Sequence, residues 1–143
     1  MEGFKVKDIM HGITVISPKA SVTEAASIMD SKDIGSLLVE ENGKMIGIIT
    51  ERDVVKVVAN GDKPDHVKVS EVMASKLQTI DANADIIEAS EIMKIHHIRR
   101  LPVVENGKFV GMITARGVGE SVHEFYVNII EKNLKKILRK VEK

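Results

Sequence analysis

Gly43-Lys44-Met45-Ile46-Gly47-Ile48-Ile49-Thr50-Glu51-Arg52-Asp53 reads as a strand that leaves an Asn42-Gly43 turn and runs into a polar helix start. The same pattern returns at an offset of 64 residues as Gly107-Lys108-Phe109-Val110-Gly111-Met112-Ile113-Thr114-Ala115-Arg116-Gly117. Asn42 and Asn106, Gly47 and Gly111, Thr50 and Thr114, and Arg52 and Arg116 occupy equivalent places. The chemistry departs at one position, where Asp53 in the first copy stands against Gly117 in the second.

Outward from this strand, the first copy is read in both directions. Asn42-Gly43 favours the positive dihedrals of a tight hairpin, so Ser36-Leu37-Leu38-Val39 is the preceding strand. The unbroken apolar run from Met45 suggests a strand buried on both faces. Ser21-Val22-Thr23-Glu24 is a capping box, in which Ser21 accepts from the amide three residues on and Glu24 reaches back. Val22, Ala25, Ala26 and Met29 then follow at helical spacing, and Ile34-Gly35 closes that helix. Thr14 to Pro18 is short and extended, since Pro18 keeps Ser17 out of the helical region. After Asp53, Val54 to Ala59 is a helix ended by Asn60-Gly61. The second copy repeats the order, with Asp85-Ile86-Ile87-Glu88 as helix start, Ala89, Ile92 and Met93 as its stripe, and Leu101-Pro102-Val103-Val104 as strand. Pro102 implies an edge or strand-start position there.

Each copy is therefore a β-α-β-β-α unit. The expected fold class is α/β (α+β), with two pseudo-symmetric units packed sheet to sheet, because a unit of this size has a marginal core alone. The boundaries read as 1–61 for the first unit, 62–68 for a polar linker holding Pro64, 69–119 for the second unit, and 120–143 for a C-terminal helix. Val6-Lys7-Asp8-Ile9-Met10 at the start is answered by Val69-Ser70-Glu71-Val72-Met73 at an offset of 63, one residue short of the register that follows. In the last segment Val122, Phe125, Tyr126, Ile129, Ile130, Leu134, Ile137, Leu138 and Val141 fall at steps of three and four, a wide apolar helical face. Lys135, Lys136, Arg139, Lys140 and Lys143 suit its C-terminal end. This helix has three readings: packing on its own module, closing a homodimer, or docking a protein partner. Homodimerisation is the reading adopted.

Composition narrows the function. The 21 basic and 21 acidic residues balance, which argues against general nucleic-acid binding. Only Phe4, Phe109, Phe125 and Tyr126 are aromatic, too few for a base-stacking platform. The absence of cysteine excludes disulfides, thiolate zinc sites and cysteine nucleophiles. No apolar run approaches the roughly 20 residues of a membrane span. Met1-Glu2-Gly3-Phe4-Lys5-Val6-Lys7-Asp8 is too charged for a secretory signal. A soluble cytoplasmic protein, without membrane attachment, is expected.

The tandem units, each with an apolar strand, a turn and then Gly-h-h-h-Thr-x-x-Asp, resemble the CBS-domain family, whose paired form is the Bateman module. The resemblance is carried by Asp8-Ile9-Met10, by Ile34 and Ile98 at the strand entries, by Leu101-Pro102-Val103-Val104 and by Gly47 to Asp53, and it covers about Val6 to Gly119. It implies a regulatory sensor, not an enzyme, that binds an adenosine-containing ligand in the cleft between the two units. AMP, ADP and ATP are the expected ligands, with S-adenosylmethionine and NAD(H) also open, and no cofactor is required. Asp53 would accept from the ribose hydroxyls, an acceptor-only role suited to a carboxylate, with Thr50 beside it. Arg99, Arg100 and Arg116 would hold phosphate through their planar donor forks. Backbone near Gln78, Thr79 and Ile80 would meet the base edge, flanked by Ile48 and Ile98. The second pocket departs from the family pattern. Thr14, Val15, Ile34, Met112, Thr114 and Arg52 remain, but Gly35 and Ser36 replace the arginines and Gly117 replaces Asp, so a weak or empty site is expected there.

Other chemistry finds no constellation. Thr50 and Asp53 also suit a plain helix cap. Gly117-Val118-Gly119 lacks the third glycine of a dinucleotide fingerprint. His96 and His97 are adjacent and splay apart, while His11, His66 and His123 are scattered, so no metal site is expected. His97 could assist phosphate at the pocket rim. No nucleophile and base pair stands out, and no catalytic residue is assigned. The rival reading is a structural interaction module with a degenerate pocket, working through the C-terminal helix and an unknown protein partner.

Overall fold

Strand pairing in each repeat follows from its turn. Asn42 (φ 52°) and Gly43 (φ 78°) both take positive dihedrals, as do Asn106 (φ 51°) and Gly107 (φ 77°), which is the type I′ geometry that matches strand twist. The structure, a computed structural model, describes residues 4–142. The readings that fell on Met1-Glu2-Gly3 and Lys143 lie outside the described residues.

The chain divides into two compact units, and these do not follow the repeat boundaries. Unit I is Gly12–Thr79. Unit II combines residues 4–11 with residues 80–142. In unit I, β1 (Val15–Ile16) leads through α2 (Val22–Lys32) to β2 (Ser36–Glu41), β3 (Lys44–Thr50) and α3 (Glu51–Ala59), followed by a 3-10 turn at Pro64–His66 and the short α4 (Val69–Val72). The sheet order is β1-β2-β3, with β1 parallel and β3 antiparallel to β2. In unit II, α1 (Val6–Ile9) joins β4 (Ile80–Asp81), α5 (Ile86–Ile95), β5 (Arg100–Glu105), β6 (Lys108–Thr114) and α6 (Ala115–Glu142), with the same sheet pattern β4-β5-β6.

The opening helix of each repeat thus packs in the unit built by the other repeat. Val6 is fully buried among Ile86, Leu101, Val103 and Ile113 of unit II. Val69 is fully buried among Val22, Leu37, Val39 and Ile49 of unit I. The segment read as a linker is also packed: Val67 lies against the unit I core, and its carbonyl accepts from Val22 N at 2.9 Å.

Each opening helix is followed by a short edge segment that bridges the long hairpin strand. Ala74 and Ile48 exchange backbone bonds of 3.0 and 2.9 Å, and His11 and Met112 do the same at 2.9 Å each. These crossings explain the two motif glycines. A Cβ on Gly47 would sit 2.6 Å from Met73 Sδ and 2.9 Å from the Ala74 carbonyl oxygen. On Gly111 it would sit 2.6 Å from Met10 Sδ and 2.8 Å from the His11 carbonyl oxygen. Glycine is required there by close backbone approach, not by dihedral freedom.

Several local expectations are corrected. Helix α2 ends before Gly35, because Asp33 takes the left-handed C-cap conformation (φ 52°). His97 is its counterpart in the second repeat (φ 53°), so its backbone closes α5. Ser21 Oγ accepts from Glu24 N at 3.1 Å, but the return arm of the box is not made among the described bonds, and Ser21 instead bridges Lys68. Pro102 lies near the start of β5, as expected, but β5 is the central strand and not an edge. Strand β3 begins with the exposed Lys44 and alternates between half-buried and buried residues only from Ile46 on, so it is not buried throughout. The C-terminal helix starts at Ala115, not at 120, so the helix following β6 and the C-terminal segment are one continuous element.

Candidate functional site

The chemistry-bearing residues of unit I collect where β2 begins and β3 ends. Strand register sets Ser36 opposite Thr50 and Leu38 opposite Ile48. The carbonyl of Gly35 accepts from Glu51 N at 3.1 Å and so holds the first turn of α3 against the sheet. Asp53 then folds back over this corner. Its Oδ2 accepts from Thr50 N at 2.8 Å and from Thr50 Oγ1 at 3.2 Å. Its Oδ1 has no protein partner among the described hydrogen bonds, although the residue is half-buried. The helix-capping reading of Thr50 and Asp53 is therefore realised, and it consumes one of two carboxylate oxygens. Ser36 is buried at this corner, Ile48 and Thr14 are half-buried, and Arg52 is exposed. Val15 is 41% exposed, and Ile34 packs on the unit I core. Gln78 is half-buried and Thr79 exposed at the end of the unit.

Unit II builds the equivalent corner from different chemistry. Arg100 lies opposite Thr114, and the Arg99 carbonyl accepts from Ala115 N at 2.8 Å. With Gly117 in place of a carboxylate, the cap reverses: Thr114 Oγ1 accepts from Gly117 N at 2.9 Å. A Cβ added at Gly117 would lie 3.1 Å from Thr114 Oγ1 and 3.7 Å from Nε2 of the exposed His11. Sequence reading weighed His11 only as a scattered histidine in the search for a metal site and did not place it at this corner. The signal was the offset of 63, which aligns it with the small Ala74. Arg99 is exposed and Arg100 half-buried. Arg116 Nε donates to Glu120 Oε1 at 3.0 Å, an i,i+4 pair whose side chains are 89% and 67% exposed. Such a pair is weak and does not lock the guanidinium. Met112 is buried and Thr114 half-buried. Ile80 is 4% exposed within the core, which leaves only its backbone for recognition. Ile98 lines a shallow, mostly apolar hollow of about 240 Å³ between α5 and the start of α6, with Met93, Ala115 and Val118.

The two repeats also differ in the ladder ahead of the central strand. In unit I, Leu38 N donates to the Thr14 carbonyl at 3.0 Å. Gln78 and Pro102 stand at the equivalent positions of the second repeat, and proline has no N–H to give. Accordingly β4 starts at Ile80, one position later in the repeat than β1 at Val15.

The main-site residues expected from sequence are split between the units. Ile48, Thr50, Asp53, Gln78 and Thr79 belong to unit I, while Ile80, Ile98, Arg99, Arg100 and Arg116 belong to unit II. Within unit I the structure brings Thr50 and Asp53 into contact; within unit II it aligns Arg99 and Arg100 beside the α6 start. Among the described residues no cluster of three or more metal-ligating side chains occurs, and no helix is long and apolar enough to cross a membrane.

The CBS domain profile matches residues 6–60 and 69–122. The chain belongs to the CBS-domain family. Its CBS repeats resemble uncharacterized protein MK0525 of Methanopyrus kandleri, at 38% identity over 133 residues, covering 91% of this chain and 65% of that protein. The chain thus spans just under two thirds of that relative's length. Among solved structures, the CBS domain protein NE2398 aligns with a TM-score of 0.78 at 27% identity, covering 83% of this chain and 97% of that one. The CBS domain pair of protein MJ0100, in complex with 5′-methylthioadenosine and S-adenosyl-L-methionine, aligns with a TM-score of 0.76 at 28% identity, covering 85% and 97%. CBS pairs are generally regulatory, ligand-binding modules without catalysis of their own.

Proposed function

We propose that this CBS pair is a non-catalytic sensor of an adenine nucleotide, AMP, ADP or ATP, acting as a homodimer. The observation that carries the reading is the half-buried Asp53 carboxylate, with one oxygen capping α3 through Thr50 and the other without a donor among the described hydrogen bonds. A ribose offers two adjacent hydroxyl donors, and a carboxylate accepts both. On the family pattern, Thr50 and Asp53 take the ribose, and Arg99, Arg100 and Arg116 take the phosphates. The Gln78 carbonyl, denied the Leu38-type donor by Pro102, is left as an acceptor for an exocyclic amine. The MJ0100 complex supports an adenosine-containing ligand for a CBS pair of this kind. The arginines favour phosphate over a sulfonium, since guanidinium pairs with anions. The second set is the weaker one, with Gly117 at the Asp53 position. Regulation requires that the ligand bind two states of the module with different affinity.

Thermal unfolding against AMP, ADP, ATP, S-adenosylmethionine and NADH tests this. A ligand at about 100 times its Kd adds about 2.7 kcal/mol. The expected result is a shift with an adenine nucleotide that is lost in Asp53→Ala and in Arg99→Ala/Arg100→Ala. Pro102→Leu restores the missing N–H and should reduce the shift while the fold is kept. A flat response from folded wild-type protein refutes the sensor reading. It would favour the interaction-module alternative, for which the long exposed apolar stretch of α6 speaks.

A further inference from the structure

The two hairpin strands end on the same frame with opposite chemistry. Glu51 and Asp53 follow Thr50 in unit I, whereas Ala115 and Gly117 follow Thr114 in unit II, so two acids give way to neutral residues. The neighbouring positions change in the same sense. Ala74, which bridges Ile48, is answered by His11, which bridges Met112. Ser36, opposite Thr50, is answered by Arg100, opposite Thr114. The acid one turn further along α6, Glu120, is paired with Arg116. The corner of unit I is therefore built around a carboxylate of its own, and the corner of unit II carries donors in its place.

Strand register shows which donors are left. Along an antiparallel strand the N–H groups point alternately to one side and the other. Met112 N donates away from β5, to the His11 carbonyl at 2.9 Å, so Thr114 N, two residues on, faces the same edge. In unit I the equivalent Thr50 N donates to Asp53 Oδ2 at 2.8 Å, and Thr50 Oγ1 joins it at 3.2 Å. Thr114 N has no acceptor among the described hydrogen bonds. Thr114 Oγ1 accepts from Gly117 N, which leaves its own proton to give. Gly117 is not at a positive φ, so the backbone does not demand glycine there. Its effect is to leave room where unit I places a carboxylate, and Thr114 Oγ1 and His11 Nε2 border that room at 3.1 and 3.7 Å from a Cβ built on Gly117. His11 is exposed and Thr114 half-buried, so both are reachable. We infer that this corner binds the carboxylate of a small organic acid, in the place that Asp53 fills in unit I, with Thr114 N, Thr114 Oγ1 and His11 Nε2 as donors. The same two threonine donors already hold a carboxylate in unit I, and a charged acceptor makes such bonds stronger than neutral ones. The site lies within unit II and is independent of the nucleotide-sensor reading, which rests on Asp53.

Amide NMR of the full chain, titrated with sodium acetate against sodium chloride at equal ionic strength, tests this. The Thr114 amide proton should move downfield with acetate, as an N–H does on bonding to a carboxylate, and the shift should saturate; chloride should not reproduce it. Gly117→Asp supplies the acid from within, so its Thr114 amide should already lie downfield and should no longer respond to acetate. His11→Ala should keep the fold and weaken acetate binding by roughly tenfold, the worth of one hydrogen bond to a charged group. Asp53→Ala should leave the acetate response as it is while removing the nucleotide response, so the two sites fail separately. A Thr114 amide that does not move, that moves equally with chloride, or that still responds in Gly117→Asp overturns the site. Unchanged acetate affinity in His11→Ala overturns the part given to the imidazole. Saturation by inorganic phosphate at lower concentration than acetate overturns the carboxylate as the ligand group.

Discussion

Gly47→Ala is expected to destabilise unit I by about 1–2 kcal/mol, and the crossing of β3 with the segment after α4 is the reason. The new methyl would meet Met73 Sδ at 2.6 Å and the Ala74 carbonyl oxygen at 2.9 Å. The thioether is the end of a flexible side chain and can swing aside. The carbonyl cannot, because it accepts from Ile48 N at 3.0 Å while Ala74 N donates to the Ile48 carbonyl at 2.9 Å. Relieving the overlap stretches both bonds, each contributing a net of about 0.5–1.5 kcal/mol. Overpacking of this kind costs about 1–3 kcal/mol. Against it stands a gain of about 0.4–1 kcal/mol from the stiffer unfolded chain. Urea denaturation reads the balance: with a slope of about 1–3 kcal/mol per molar, the midpoint should fall by roughly 1 M. Gly119→Ala supplies the internal control, because Gly119 lies in α6 with nothing within 4 Å of an added Cβ. There the same substitution should stabilise by about 0.5–1 kcal/mol. If Gly47→Ala matches Gly119→Ala in sign, the close-approach account of the motif glycine is wrong.

Asp53→Ala removes two hydrogen bonds at the α3 start and should cost about 1 kcal/mol by the usual worth of a cap, measured without ligand by the same denaturation. Leu37→Ala empties a fully buried site in unit I and should cost about 2–5 kcal/mol. Val6→Ala should cost about 2 kcal/mol, and hydrogen exchange should show the lost protection in β5 and β6, where the Val6 cluster lies, and not in β2 and β3. A uniform loss, or one confined to the first repeat, would contradict the unit assignment.

Much of the fold was legible because its signals are local. The Asn-Gly turns, the Ser21 and Asp85 caps and the stripes of α2 and α5 state their own conformations. What escaped was what tertiary packing decides. Nothing in Val6-Lys7-Asp8-Ile9 says which core receives Val6; the break from an offset of 63 to 64 marks only that the opening helix is registered separately. Gly117 and Gly119 have poor helix propensity, yet α6 runs through both, because Val118 and Val122 pack on the unit II core. The end of α2 escaped for the opposite reason: the left-handed residue is Asp33, a tolerated but less common choice than the glycine two positions on. At the candidate site, the strand-end placement of Thr50 and Asp53 was legible, but the nearness of His11 to Gly117 was not.

The comparison of the two helix starts bears directly on what Asp53 is for. Both α3 and α6 follow a threonine at the end of a hairpin strand, and both first turns are tied back to the sheet by a carbonyl, of Gly35 in one unit and Arg99 in the other. Unit II completes its cap with the threonine hydroxyl alone, which accepts from Gly117 N. A helix in this setting therefore starts without a carboxylate. Unit I nevertheless carries one, half-buried, and spends a single oxygen on the cap. The second oxygen finds no protein partner among the described hydrogen bonds. A donor-rich ligand would supply the missing partners. On the proposed sensor reading this is the difference between the repeats that matters: the same corner is built twice, and in the copy with Asp53 one carboxylate oxygen has no partner among the described hydrogen bonds.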